Sequence, residues 1–339
     1  MPGTDRLRPL ALLFALVLGG CYVSHGAGPG GGAGRDGGTF DGGATPVPRD
    51  AGRRDAGRVD GGGTPTSGPP VGFGPSPGGL TPADYACRGR VTAPSGSGRA
   101  APYDAIVTDF FNGDPVERLE VHAFGDDTPT ADCSGACALL RSDAAGIVTP
   151  RDAPGSWAAY RILRGTGLQA GAPRDYVELL QYHVTTPPAR SSVPIDALQE
   201  ATLATVITLV GSMQEPGAAT LLGGLTDCGG EPIANAVLRV FDATGEIPLG
   251  TGRSGPRAFY FNGDAFPSAA QPVTHVDGLF GALNVPVPAG GRLRVELWGA
   301  LGTGPQQLLG CEAIEGLPDG VTVIPVGPVR ADGPPDCTP

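Results

Sequence analysis

The chain has 339 residues, a formal charge of −11 at pH 7, 57 glycines and 36 prolines. All 23 of its basic residues are arginine, which excludes a Schiff-base lysine, a phosphate-loop lysine and lysine-to-asparagine crosslinks. A negative balance with no basic cluster argues against nucleic acid and against electrostatic attachment to membranes.

The first residues read as an export signal. Arg6 and Arg8 precede a short apolar core, Leu10 to Leu18, which closes in Leu18-Gly19-Gly20-Cys21. That core is too short to span a bilayer as a helix. The Leu-Gly-Gly-Cys run resembles the lipobox of bacterial lipoproteins. The resemblance implies that residues 1–20 are removed and that acylated Cys21 anchors the chain to a lipid bilayer. Two or three acyl chains give a stable attachment, since one alone binds reversibly. Tyr22 after the cysteine, rather than aspartate, favours the outer membrane, facing the periplasm or the cell surface.

Residues 21–82 read as a disordered Gly/Pro/Asp/Arg linker. Asp36, Asp41, Asp50, Asp55 and Asp60 are isolated carboxylates interleaved with arginines, not the closely alternating oxygen ligands of a calcium loop. From there to the C-terminus the pattern changes to short runs rich in Val, Ile, Leu and aromatics, broken by Gly, Pro, Asp and Asn. The expected strands are 105–111, 118–124, 157–163 and 176–185 in a first module, 83–190. In a second module, 216–331, they are 220–226, 236–241, 258–261, 279–285, 293–298, 307–311 and 321–326. Residues 191–215 read as a connection with a short helix from Ile195 to Val210 that stops at Gly211, and 332–339 as a tail. Many short strands with frequent turns predict an all-β chain of two tandem antiparallel β-sandwiches.

The two modules carry one signature twice. Thr108-Asp109 followed by Gly113-Asp114-Pro115-Val116 matches Thr226-Asp227 followed by Gly230-Glu231-Pro232-Ile233. Farther on, Ser142-Asp143-Ala144-Ala145-Gly146 matches Thr274-His275-Val276-Asp277-Gly278. The longer second interval predicts an insertion around Arg253 to Pro272. Glycine at such points supplies positive φ, proline presets its own φ, and aspartate accepts local amide hydrogen bonds. This arrangement resembles the carboxypeptidase regulatory-like, or transthyretin-like, modules of bacterial surface proteins. The resemblance implies an Ig-like fold and, because its motifs are turn chemistry, carries little about activity.

Seven cysteines become six once Cys21 is acylated, and an even remainder in an exported chain predicts disulfides. The expected pairs are Cys133 with Cys137 and Cys228 with Cys311, leaving Cys87 and Cys337 to pair or stay free. Cys133 and Cys137 lack the spacing of a structural metal site, so neither metal nor cofactor is expected.

Of the three histidines beyond the linker, His122 and His183 fall in separate strand runs that could face one another, and His275 falls in a turn. No Gly-x-Ser-x-Gly elbow stands in a strand-turn-helix context, HExxH is absent, as are phosphate-binding glycine loops followed by helices, and Asp126-Asp127 reads as a solvated pair. The expectation is a non-enzymatic, membrane-anchored protein whose partner is an envelope protein or glycan. A peptidase accessory subunit is a weaker alternative. Phe259, Tyr260 and Phe261, within the insertion, are the candidate exposed patch for glycan.

Overall fold

The computed structural model describes residues 68–339 except 77–78, 126, 130–132, 134–136, 264–265, 336 and 338–339. Cys21, the export signal and the linker up to residue 67 lie outside the described residues. Among the described residues the regular structure is β apart from one helix.

In the first sandwich the main strands are β1 (Asp104–Asp109), β2 (Glu120–Phe124), β3 (Ala138–Arg141), β4 (Ile147–Val148), β5 (Trp157–Ile162), β6 (Leu179–Thr185) and β7 (Ser192–Ala197). After helix α1 (Glu200–Val210) the second sandwich contributes β8 (Ala218–Leu225), β9 (Val237–Asp242), β10 (Gly245–Ile247) and β11 (Arg257–Phe261). It continues with β12 (Leu279–Pro286), β13 (Arg292–Ala300), β14 (Gln306–Glu315) and β15 (Val321–Val326).

The strand orders of the two halves superpose. β3-β2-β5-β6 and β7-β1-β4 in the first correspond to β10-β9-β13-β14 and β15-β8-β12 in the second. β11 and the short strand Pro267–Ser268 extend the latter sheet and occupy the expected insertion.

The repeated turns are the same object built twice. The Asp109 N–H donates to the Asp114 carbonyl at 2.8 Å, and the Asp227 N–H to the Glu231 carbonyl at 3.0 Å. Each aspartate Oδ1 accepts two further amides of its own turn. Gly146 and Gly278 have φ of 75° and 68°. A Cβ at either would stand 2.6 Å from a carbonyl oxygen, that of Val107 or Leu225, so both a left-handed backbone and a bare Cα are required there. Ser142 Oγ and Thr274 Oγ1 accept the amides of Leu119 and Ala236 at 3.0 and 2.9 Å.

The sandwiches are fused. β6 pairs with β15 in parallel, matching Leu179, Leu180 and Gln181 with Val321, Thr322 and Val323. One nine-stranded sheet therefore runs through both halves. Alternation then sends Leu180, Leu221 and Ile324 to one face, where they join the core of the second sandwich with Leu238, Val295 and Phe280. The opposite face carries Tyr160 in the core of the first sandwich with Tyr103, Val107 and Ile195. It also carries Leu222 and Val323, packed with Phe259 and Phe261 in the cluster that includes the α1 residues Leu203, Val206 and Ile207.

Several expectations need correction. Phe259, Tyr260 and Phe261 are at most 3% exposed, because β11 is paired on both sides and its rings fill two cores. The Tyr260 hydroxyl accepts the Leu238 amide at 2.9 Å. Residues 68–73, read as linker, pack on the second sandwich: Val71 is 3% exposed and its N–H donates to the Ala300 carbonyl at 2.9 Å. Residues 192–197, read as connection, form β7, so the helix starts at Glu200 rather than Ile195. The Gly211 cap is as expected, with φ 70° and amide bonds back to the last turn.

Cys133 pairs with Cys137, but Cys228 pairs with Cys87 and Cys311 with Cys337. The reason lies in the chain ends. The Asp84 amide donates to Asp227 Oδ2 at 2.9 Å and the Cys228 amide to the Asp84 carbonyl, which lays Cys87 beside Cys228. The C-terminal residues return over β14, burying Cys337 against Cys311 and Val329.

Candidate functional site

A cleft of about 570 Å³ opens where the two sandwiches meet. Its floor is the shared sheet, including Gln181, Leu222 and Val323, and one wall is the strand β7. Such a volume lies in the range of small-ligand sites, roughly 300–1,000 Å³.

The wall follows from the pairing of β7. The Asp104 and Phe110 amides donate to the carbonyls of Ser191 and Ala197, so alternate residues face β1 and those between, Ser192, Pro194 and Asp196, point their backbone into the cleft. Pro194 has no N–H. The Asp196 N–H donates to Gln181 Oε1 at 2.9 Å. An edge missing one donor and capped at another is a poor template for an added strand.

The rest of the lining is largely apolar, with Pro188, Val184, Leu279 and Pro325 among its residues, while Gln181 and Asp196 are 4% and 5% exposed. Buried polar groups on a rigid apolar floor orient a ligand more than they react with it.

His183 lies at one end of the cleft and locks the junction. It is the extra residue of a bulge in the β5–β6 ladder, with φ 55°. Its amide donates to Asp127 Oδ1 at 2.8 Å, and its ring stacks on Trp157 with centroids 4.0 Å apart. Nδ1 lies 3.2 Å from the Pro325 carbonyl, which can only accept, so Nδ1 carries the proton of the neutral ring. Nε2 is 3.1 Å from Asp127 Oδ2 and 3.8 Å from Glu312 Oε2. Arg330 reaches from the far side, 2.5 Å from Glu312 Oε1 and stacked over Trp157.

Burial, with the Arg330 charge second, pulls His183 down to about 3, and burial pushes Glu312 up to about 8 against the pull of Arg330. The buried imidazole, 8% exposed, ties the sandwiches together through its Nδ1–H bond to the Pro325 carbonyl and its stacking on Trp157.

The structure places His122 and His183 in different surroundings. Asp127, read as half of a solvated pair, is instead drawn onto His183. Asp143 and Asp277 accept amides of their own turns, as their positions imply. Burial raises Asp277 to about 6.

Trp298 remains partly exposed, within a ladder in which Arg239 lies between its ring and that of Phe241, and Arg294 covers Phe241. A metal-compatible cluster is formed by His122, Cys133 and Cys137, whose ligand atoms lie within 4.8 Å of one another. Sequence reasoning considered the two cysteines without the histidine that the fold brings to them. It also passed over the wall residues Ser192, Pro194 and Asp196. Their signal was a proline inside an alternating run that a helical reading had absorbed.

No family profile matches the chain, and neither does any curated protein. Among solved structures, the Bacillus anthracis TIE protein is 10% identical with a TM-score of 0.21, over 68% of this chain and 34% of that one. The shaft pilin SpaA of Lactobacillus rhamnosus GG is 10% identical with a TM-score of 0.22, over 68% of this chain and 98% of that one. A candidate carbohydrate-binding protein of Bacteroides uniformis is 9% identical with a TM-score of 0.19, over 64% of this chain and 100% of that one.

Proposed function

We propose that the protein is a non-enzymatic bacterial envelope lipoprotein, held at the outer membrane through acylated Cys21, whose fused sandwiches form a binding module. The observation that carries the reading is the cleft: about 570 Å³, lined mostly by apolar groups, with Gln181 buried in its floor and Asp196 in its wall. Its occupant is a compact apolar ligand or an apolar group of an envelope component. An extended strand is disfavoured by the blunted β7 edge. The repeated turns agree with the carboxypeptidase regulatory-like resemblance, in which such modules serve as scaffolds.

The glycan-binding alternative loses its proposed patch with the burial of Phe259, Tyr260 and Phe261. Trp298, partly exposed in its arginine ladder, is one aromatic that still supports it.

The cleft is tested with the apolar reporter 1-anilinonaphthalene-8-sulfonate. Saturable binding to the full chain should weaken about tenfold or more in Thr185→Tyr, which crowds the lining. Non-saturable binding, or binding indifferent to that change, contradicts the site. Hydrolytic or oxidative turnover by the purified protein contradicts the non-enzymatic reading. Cys21→Ser should abolish incorporation of a labelled fatty acid, and unchanged incorporation contradicts the anchor.

A further inference from the structure

We infer that, once the Cys133–Cys137 bridge is reduced, its two thiolates and His122 form a three-ligand site for a thiophilic d10 cation, zinc(II) or copper(I). His122 sits on β2 opposite Leu139 of β3 and Arg161 of β5. Its neighbours in sequence, Val121 and Ala123, point into the first core, so by alternation the imidazole lies on the other face of the sheet. There Nδ1 is shielded from solvent and has no hydrogen-bond partner among the described residues, a cost that a bound cation would remove.

The ligand atoms of His122, Cys133 and Cys137 all lie within 4.8 Å of one another. Bonds of about 2.3 Å to sulfur and 2.0–2.1 Å to nitrogen place neighbouring ligands of a tetrahedral ion about 3.5–3.8 Å apart. On reduction the two sulfurs must part from bonding distance, about 2.0 Å, to that spacing, while each needs to approach the His122 nitrogen by no more than about 1 Å. Two thiolates and an imidazole suit zinc or copper(I) and disfavour magnesium or calcium. With three protein ligands, a fourth tetrahedral position remains open.

The fold can spare this bridge. It closes a separation of 4 residues, against 141 for Cys87–Cys228. The reaction balances simply. A dithiol reductant gives two electrons and two protons to the disulfide and leaves as its own disulfide. The cation then displaces both thiol protons to solvent.

The test uses the full chain and a Cys133→Ser/Cys137→Ser double variant, reduced identically so that the remaining thiols cancel. Each is titrated with zinc(II) against a chelating dye and, separately, with copper(I) against bicinchoninate. The reduced wild-type chain should bind at least one of the two ions more tightly than the double variant. Bound cobalt(II) should show a sulfur charge-transfer band. His122→Ala should weaken binding at least about tenfold, and His122→Cys should restore it. Equal binding by wild type and double variant for both ions, or an affinity unmoved by His122→Ala, overturns the site.

Discussion

β15 of the second sandwich and β7 of the first are the same strand in the two copies of the repeat, and they have opposite fates. Each pairs in parallel with the strand that opens its sandwich, β8 or β1. β15 is then covered on its free side by β6, whereas β7 is left beside the cleft. One edge fuses the molecule; the other is blunted by Pro194 and by the Gln181 cap on Asp196. The repeat thus specifies local turns and strand order, and the residues of the edge decide whether it becomes an interface or an opening.

The largest effect should come from breaking the covered edge. Val323→Pro inserts a residue without an N–H into a strand hydrogen-bonded on both sides, and should cost more than about 3 kcal/mol by urea denaturation. Next come the matched turns. Gly146→Ala and Gly278→Ala should each cost about 3 kcal/mol, through left-handed strain and a Cβ pressed on a carbonyl. Costs differing by more than the experimental error would show that the copies are not equivalent.

The junction lock gives a pH dependence. Burial raises Glu312 to about 8, so between its ordinary value near 4.5 and 8 the folded chain holds a proton that the unfolded chain has released. Stability from this group is therefore greatest below pH 4.5 and is lost as pH rises to 8. Glu312→Gln should flatten the fall in Tm between pH 6 and 8; an unchanged slope would remove Glu312 as its source. The smallest effect on stability belongs to the open edge. Pro194→Val should change it by no more than about 0.5 kcal/mol, yet restore a donor and favour self-association, visible by sedimentation. A strictly monomeric variant would mean that Pro194 is not what protects the edge.

Much of this fold was legible in the chain. The two turn signatures fix local backbone and the structure reproduces them, and Leu293, Val295 and Leu297 share a buried face of their strand, although Glu296 between them is buried as well. The site was much less legible, because its parts are brought together by pairing between distant strands. Leu179 to Gln181 meet Val321 to Val323 through a parallel register that no local pattern encodes. The same holds for Cys87 beside Cys228 and His122 beside Cys133. β7 was hidden for another reason: Ile195 to Val210 is apolar enough to read as one helix, and only Pro194 marks the strand before it. Phe259 to Phe261 illustrate the converse, since an aromatic run in an insertion can pay its way in a core as easily as on a surface.

The chain has two tryptophans, one in each sandwich. Their placement allows the fusion itself to be measured. Urea unfolding of Trp157→Phe reports the second sandwich through Trp298, and unfolding of Trp298→Phe reports the first through Trp157. After correction for each variant's global stability by circular dichroism, a single body joined through β6 and β15 predicts coincident transitions. Two separate midpoints, with one half melting while the other stays folded, would contradict it and the cleft that depends on it.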